Sequence, residues 1–194
     1  MKIIFIRHGA TDANLQKRYI GRTDLPLCEE GRSVIRSKAT RGCYPAADKV
    51  CSSPLLRCRE TADIIYPDQT VISIEDFREK DFGEYEMKNY EDLKEDPRYL
   101  SWVESGGRLP FPAGEDDGAV RERVLRAFDE TVKECIADGT GSIALTVHGG
   151  TIMTILSERL TEGRGGYYDY QCACGAGYIA ECDQSGMRII GEIE

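Results

Sequence analysis

Short strand-like runs at residues 2–6, 48–51 and 142–147 punctuate a chain whose other apolar positions recur mostly at helical spacing. Ile3, Ile4, Phe5 and Ile6 are consecutive, as are Ile143, Ala144 and Leu145, the pattern of strands buried on both faces of a sheet. Behind the second run, Leu55, Cys58, Ala62 and Ile65 return at helical intervals, with Ser53 as candidate N-cap and Pro54 at the first helical position. Val120, Val124, Phe128, Val132 and Cys135 form an apolar stripe on a helix predicted over residues 115–137, and Gly139 lies just past its end. A further helix follows His148 through Ile152, Leu156 and Leu160. From about residue 170 to 193, short apolar runs alternate with turn residues, which predicts strands closing the sheet. Strands alternating with helices imply an α/β fold with a largely parallel, buried sheet.

Between residues 85 and 114 the pattern weakens into short helical pieces, and residues 104–114 read as a loop rich in glycine and proline. This stretch reads as a cap inserted into one domain spanning residues 1–194. It holds Trp102, the one tryptophan, with Tyr85, Tyr90, Tyr99 and Phe111, which suit a small cap core and could lend one or two rings to a substrate wall.

Charge and cysteine content narrow the function. A formal net charge of −9 disfavours nonspecific nucleic-acid binding, whose affinity comes from neutralising phosphates with Lys and Arg. No apolar run approaches the roughly 18 residues of a membrane span, and the first strand is too short for a signal-peptide core of about 7–15 apolar residues, so a cytoplasmic protein is expected. The eight cysteines then read as reduced thiols. Cys172 and Cys174 would share one face of a strand, where packing is the plainer reading and metal ligation the sharper one.

The candidate chemistry gathers around the only two histidines, each at the end of an apolar run and next to glycine. Ligands bind open α/β sheets at the carboxyl ends of strands, so two such ends can share one site. In Arg7-His8-Gly9-Ala10-Thr11-Asp12-Ala13-Asn14, the arginine fork, the backbone exposed by glycine and the amide of Asn14 suit a small anion. Arg57 stands in the opening turns of the second-run helix, whose dipole also favours negative charge. Taken singly, a histidine at a strand end is more often a hydrogen-bonded loop residue than a catalyst.

Arg-His-Gly-x-Thr-x-x-Asn at residues 7–14, Ser-x-Leu-x-Arg-x-x-x-Thr-Ala at residues 53–62 and His-Gly-Gly at residues 148–150 resemble, in order, the histidine phosphatase superfamily, also called phosphoglycerate-mutase-like. The resemblance implies a three-layer sandwich with a mostly parallel central sheet flanked by helices. It makes His8 the phosphorylated nucleophile and has Arg7, Arg57 and His148 bind and stabilise the transferring phosphoryl group. The stretch from Phe77 to Glu86 is similar to the family's Leu-x-Glu-x-x-x-Gly-x-x-Glu, which places the proton donor at Glu79, ahead of Asp81 or Glu84. Asn14, Gly21 and Gly149 join the expected phosphate and substrate contacts, with the turn at residues 19–23 as a substrate edge. No metal and no other cofactor is expected, and the expected partner is a small phosphorylated metabolite, with no nucleic acid and no membrane.

Phosphatase, mutase and inactive phosphate-binding module all share these motifs. The short chain favours hydrolysis, because mutases of the family tend to carry insertions that enclose the substrate. Residues 18–27, 81–86 and 111–115 resemble the α-ribazole phosphatases, which remove the 5′-phosphate of α-ribazole phosphate in cobalamin assembly. Three positions depart from that pattern: Met87 and Ala113 stand where glycine is usual, and Asp116 where serine is usual.

Overall fold

The structure, a computed structural model, describes residues 1–107, 109–161, 165–183 and 185–194. Arg108, inside the expected loop, and Gln184, inside the expected terminal strands, lie outside the described residues.

Six strands, β1 (Lys2–Arg7), β2 (Lys49–Ser52), β3 (Val71–Ser73), β4 (Ser142–Val147), β5 (Gly177–Asp183) and β6 (Gly186–Ile193), form one sheet in the order β3-β2-β4-β1-β5-β6. β3, β2, β4 and β1 run parallel, while β5 pairs antiparallel with β1 and β6 with β5. Alternation along β1 divides the core into two layers. Ile3 and Phe5 pack with Val124 and Phe128 of α6 (Asp117–Ala137) and Ile152 and Leu156 of α7 (Gly149–Arg159). Ile4 and Ile6 face the other way, onto Ile35 of α2 (Glu29–Thr40) and Ala62 of α3 (Leu56–Ile65). The result is the expected three-layer α/β sandwich with helices on both faces. α1 (Asp12–Leu15) is one short turn closed by the Thr11 and Asn14 capping box.

The stretch expected to form a cap carries α4 (Tyr90–Leu93) and α5 (Pro97–Glu104), which opens with Asp96 as N-cap and Pro97 in its first turn. Its core is a separate cluster of Tyr85, Leu93, Tyr99 and Phe111, with Tyr19, Phe82 and Trp102 against it. Among the described residues no helix is long and apolar enough to cross a membrane.

Two local expectations are corrected, and two elements were not predicted. α3 begins at Leu56 with Leu55 at the N-cap, so neither Ser53 nor Pro54 opens it; Ser53 is drawn instead to His148. Cys172 and Cys174 precede β5 and lie on no strand, because that segment turns back to brace the end of β1. β3 and α2 have no counterpart among the predicted elements: β3 is three residues long with Ile72 exposed, and the apolar face of α2 is narrow, with Ile35 its one fully buried large side chain.

Candidate active site

Pairing of β1 with β4 in register, Arg7 opposite Val147, brings the two histidines to neighbouring strand ends. The His8 N–H donates to the Val147 carbonyl at 3.0 Å, and the two imidazole centroids lie 5.3 Å apart, inclined by 66°. His8 Nδ1 lies 2.7 Å from the Gly9 carbonyl and must be the protonated nitrogen there, which leaves Nε2 with its lone pair. Burial first, then the Arg57 and Arg7 charges, hold the His8 pKa well below the usual imidazole value, so the ring is neutral. The Gly175 N–H donates to the carbonyls of Arg7 and His8, and Arg7 Nη1 donates to the Cys172 carbonyl at 2.6 Å.

Arg57 is wholly buried at the start of α3. Nη1 donates to the Thr23 carbonyl at 2.9 Å and Nη2 to the Gly21 carbonyl at 2.8 Å. That turn is held by Glu86, whose carboxylate accepts from the backbone N–H of Gly21, Arg22 and Thr23 and from the Thr23 hydroxyl. A Cβ at Gly21 would stand 1.8 Å from the Lys80 carbonyl oxygen, so only glycine fits. Gly21 therefore serves as a backbone brace for Arg57 and is not among the residues lining the cavity.

His148 is the residue just before α7, and none of its surface is exposed. Its Nε2 lies 2.7 Å from Ser53 Oγ, and Cys58 Sγ is 3.5 Å away, a thiol pushed up to about 12 by burial and so uncharged. Burial, then Arg57, His8 and Arg7, lower the His148 pKa well below its usual value.

A cavity of about 640 Å³ opens over these strand ends. Arg7, His8, Asn14, Glu79 and Gly149 line it, with Arg57 and His148 buried behind. Of the carboxylates Glu75, Asp76, Glu79, Asp81, Glu84 and Glu86, Glu79 alone reaches the cavity wall. Asp81 is paired with Arg22 and Glu84 with Arg98. Glu79 Oε2 accepts from the Gly150 N–H at 3.3 Å and Oε1 from the Lys80 N–H at 3.0 Å. A Cβ on Gly150 would come within 2.6 Å of Oε1, so the second glycine of His-Gly-Gly makes room for the Glu79 carboxyl group at the positive end of α7. Asn14 spends Oδ1 on the backbone and hydroxyl of Thr11, leaving Nδ2 to donate to an anion. Among the described residues no group of three or more His, Cys, Asp or Glu side chains is placed to hold a metal ion.

Sequence reasoning missed Ser53 as the partner of His148, Glu86 as the brace of the Arg57 turn, and Arg123. The last had a readable signal, a charged residue on the apolar stripe of α6 beside Val124.

The profile of the histidine phosphatase superfamily (branch 1) matches residues 3–191. The adenosylcobalamin/alpha-ribazole phosphatase of Salmonella typhimurium is 26% identical over 167 residues, 83% of this chain and 80% of that protein. The 2,3-bisphosphoglycerate-dependent phosphoglycerate mutase 2 of Gloeobacter violaceus is 30% identical over 165 residues, 80% of this chain and 74% of that protein. The crystal structure of the alpha-ribazole phosphatase from Shigella flexneri, 24% identical, shares the fold with a TM-score of 0.84 over 100% of this chain and 96% of its own. With a profile match running from β1 to β6 and the superfamily's motifs assembled around one cavity, the chain belongs to the histidine phosphatase superfamily.

Proposed function

We propose that the chain is a phosphomonoester hydrolase that works through a phosphohistidine on His8 and needs no metal ion. The observation that carries this reading is the neutral His8 ring, tied through Nδ1 to Gly9 so that Nε2 is the free nucleophile beside two guanidinium groups. His8 Nε2 attacks phosphorus as the ester P–O bond breaks, and the carboxylic acid of Glu79 protonates the departing oxygen. Arg7 and Arg57 offset the charge on the phosphoryl oxygens, the role a metal ion would otherwise take, and His148 stabilises them from the opposite side. In the second half, the Glu79 carboxylate takes a proton from water, the hydroxyl oxygen bonds to phosphorus, and the P–N bond breaks to release phosphate and neutral His8.

The substrate proposed is α-ribazole 5′-phosphate, which would place the enzyme in cobalamin biosynthesis. The cavity wall away from His8 supports a flat, largely uncharged leaving group. Tyr19, Phe82, Trp102 and Phe111 line it, and its outer cations are already matched, Lys80 by Asp117 and Arg121 by Glu158. A volume of about 640 Å³ falls within the range of roughly 300–1,000 Å³ usual for small-molecule sites. The likeness to a phosphoglycerate mutase makes mutase activity the competing reading.

Turnover of α-ribazole 5′-phosphate and of 3-phosphoglycerate, the latter with and without a bisphosphate primer, separates the two. Faster release of inorganic phosphate from the nucleotide, unaffected by a chelator, is expected. Primer-dependent isomerisation of phosphoglycerate without release would establish the mutase, and no turnover of either substrate or of an aryl phosphate between pH 5 and 8 would leave a binding module. Rapid quenching with labelled substrate should leave acid-labile label on His8 and none on a His8→Ala variant.

A further inference from the structure

Glu79 sits on a stretch that no regular element supports. It lies between a turn of 3-10 helix at Glu75–Phe77 and another at Gly83–Tyr85, and the residues between them are neither helix nor strand. Buried backbone in such a segment must find partners outside it, and a carboxyl carried there is only as well aimed as those partners allow. Arg123, 5% exposed on the inner face of α6, provides them. Its Nη1 donates to the carbonyls of Asp76 and Arg78, both at 2.8 Å, and Nη2 to that of Glu79 at 3.4 Å. Nε and Nη2 also hold the Glu115 carboxylate in a two-point pair at 2.7 and 2.8 Å. Glu115 in turn clasps the far side of the stretch, its N–H donating to the Asp81 carbonyl at 2.9 Å and its Oε2 accepting from the Asp81 N–H at 3.4 Å.

On these contacts, and resting on the reading of Glu79 as proton donor, we infer that Arg123 seated by Glu115 is the positioning pair for Glu79, fixing where its carboxyl meets the leaving oxygen. A buried ion pair is a poor way to fill space, since well-packed apolar residues of the same volume are often as stabilising or more so. Its distinctive yield is direction: a rigid fork that meets three carbonyls and a carboxylate at once, which the single nitrogen of lysine cannot do.

Leaving-group dependence of kcat/KM is the test, because it reports the P–O cleavage step and a poor alkoxide leaving group needs the acid far more than nitrophenolate does. In Glu79→Gln, kcat/KM should fall by about 10²–10³ on an alkyl phosphate and by much less on p-nitrophenyl phosphate. Arg123→Lys, with Arg7, His8, Arg57 and His148 intact, should lower the alkyl-to-aryl ratio by at least about tenfold. Adding Arg123→Lys to Glu79→Gln should lower that ratio no further. Equal losses on both substrates in Arg123→Lys, with the Glu79→Gln ratio still depressed, would overturn the positioning role and spare the acid. An unchanged ratio in Glu79→Gln would remove the acid and the inference together. Should Arg123→Lys not fold, Glu115→Gln carries the same expectation on the same ratio and is overturned by the same equal losses.

Discussion

A histidine buried beside arginines changes the pH dependence of the whole protein. His8 and His148 are both held well below the usual imidazole pKa, each by burial first and by Arg57 next. In the unfolded chain the same side chains titrate near about 6.5. Between that value and the depressed folded values the unfolded state binds more protons than the native one, so stability is full above about pH 6.5 and is lost as pH falls below it. Each histidine sets a limiting slope of about 1.4 kcal/mol per pH unit in that window. Urea unfolding at pH 7.5, 6.5 and 5.5 should show little change over the first step and a marked loss over the second. His8→Gln and His148→Gln should each remove about half of the loss those two residues cause. A slope equal to wild type in the double variant would mean that neither ring is kept neutral by the fold. Protonation of His8 should take no share in any activity lost just below pH 6.5.

Elements begin and turn where single residues permit, and the three departures from the α-ribazole phosphatase pattern fall at such points. Met87 and Ala113 both adopt left-handed backbone, at φ of 62° and 54°, the conformation in which glycine costs least. Asp116 is the N-cap of α6, its side chain accepting from the Ala119 N–H at 3.0 Å, a task serine performs equally well. All three positions therefore have a backbone geometry that the usual residue would also accept. Asp116→Ala should lower stability by about 1 kcal/mol while Asp116→Ser leaves it nearly unchanged, as thermal unfolding would report. Comparable losses in both would place the contribution of Asp116 elsewhere than in the cap. What was legible in the sequence follows the same logic. β1, β4, α6 and α7 carry long or continuous apolar patterns, and both histidines fall at strand ends where glycine follows. β3, with three residues, and α2, with a narrow apolar face, offer too little periodicity to find. The Ser53 to His148 contact is invisible for a different reason: it joins residues 95 apart through a pairing of β2 with β4 that no local pattern encodes.

The molecule carries a formal charge of −9 yet, on the proposed function, takes a phosphate ester at one end of its sheet, and the two act over different distances. The guanidinium group of Arg7 lies in the cavity wall and that of Arg57 is buried behind it, where added salt screens little. The acidic surface acts across the whole body, whose radius of gyration is about 16 Å for a compact chain of this length. At about 0.01 M salt the Debye length is roughly 30 Å, so an approaching dianion meets the field of the entire molecule; at about 0.1 M it is roughly 10 Å, and only the nearest charges remain. Screening should thus remove long-range repulsion before it weakens the pocket. The KM for an aryl phosphate should fall as sodium chloride rises from about 0.01 to 0.1 M, with kcat unchanged, because the chemical step is buried. A KM that climbs steadily over the same range would mean that the cavity's own positive charge, not the acidic surface, governs the approach of substrate.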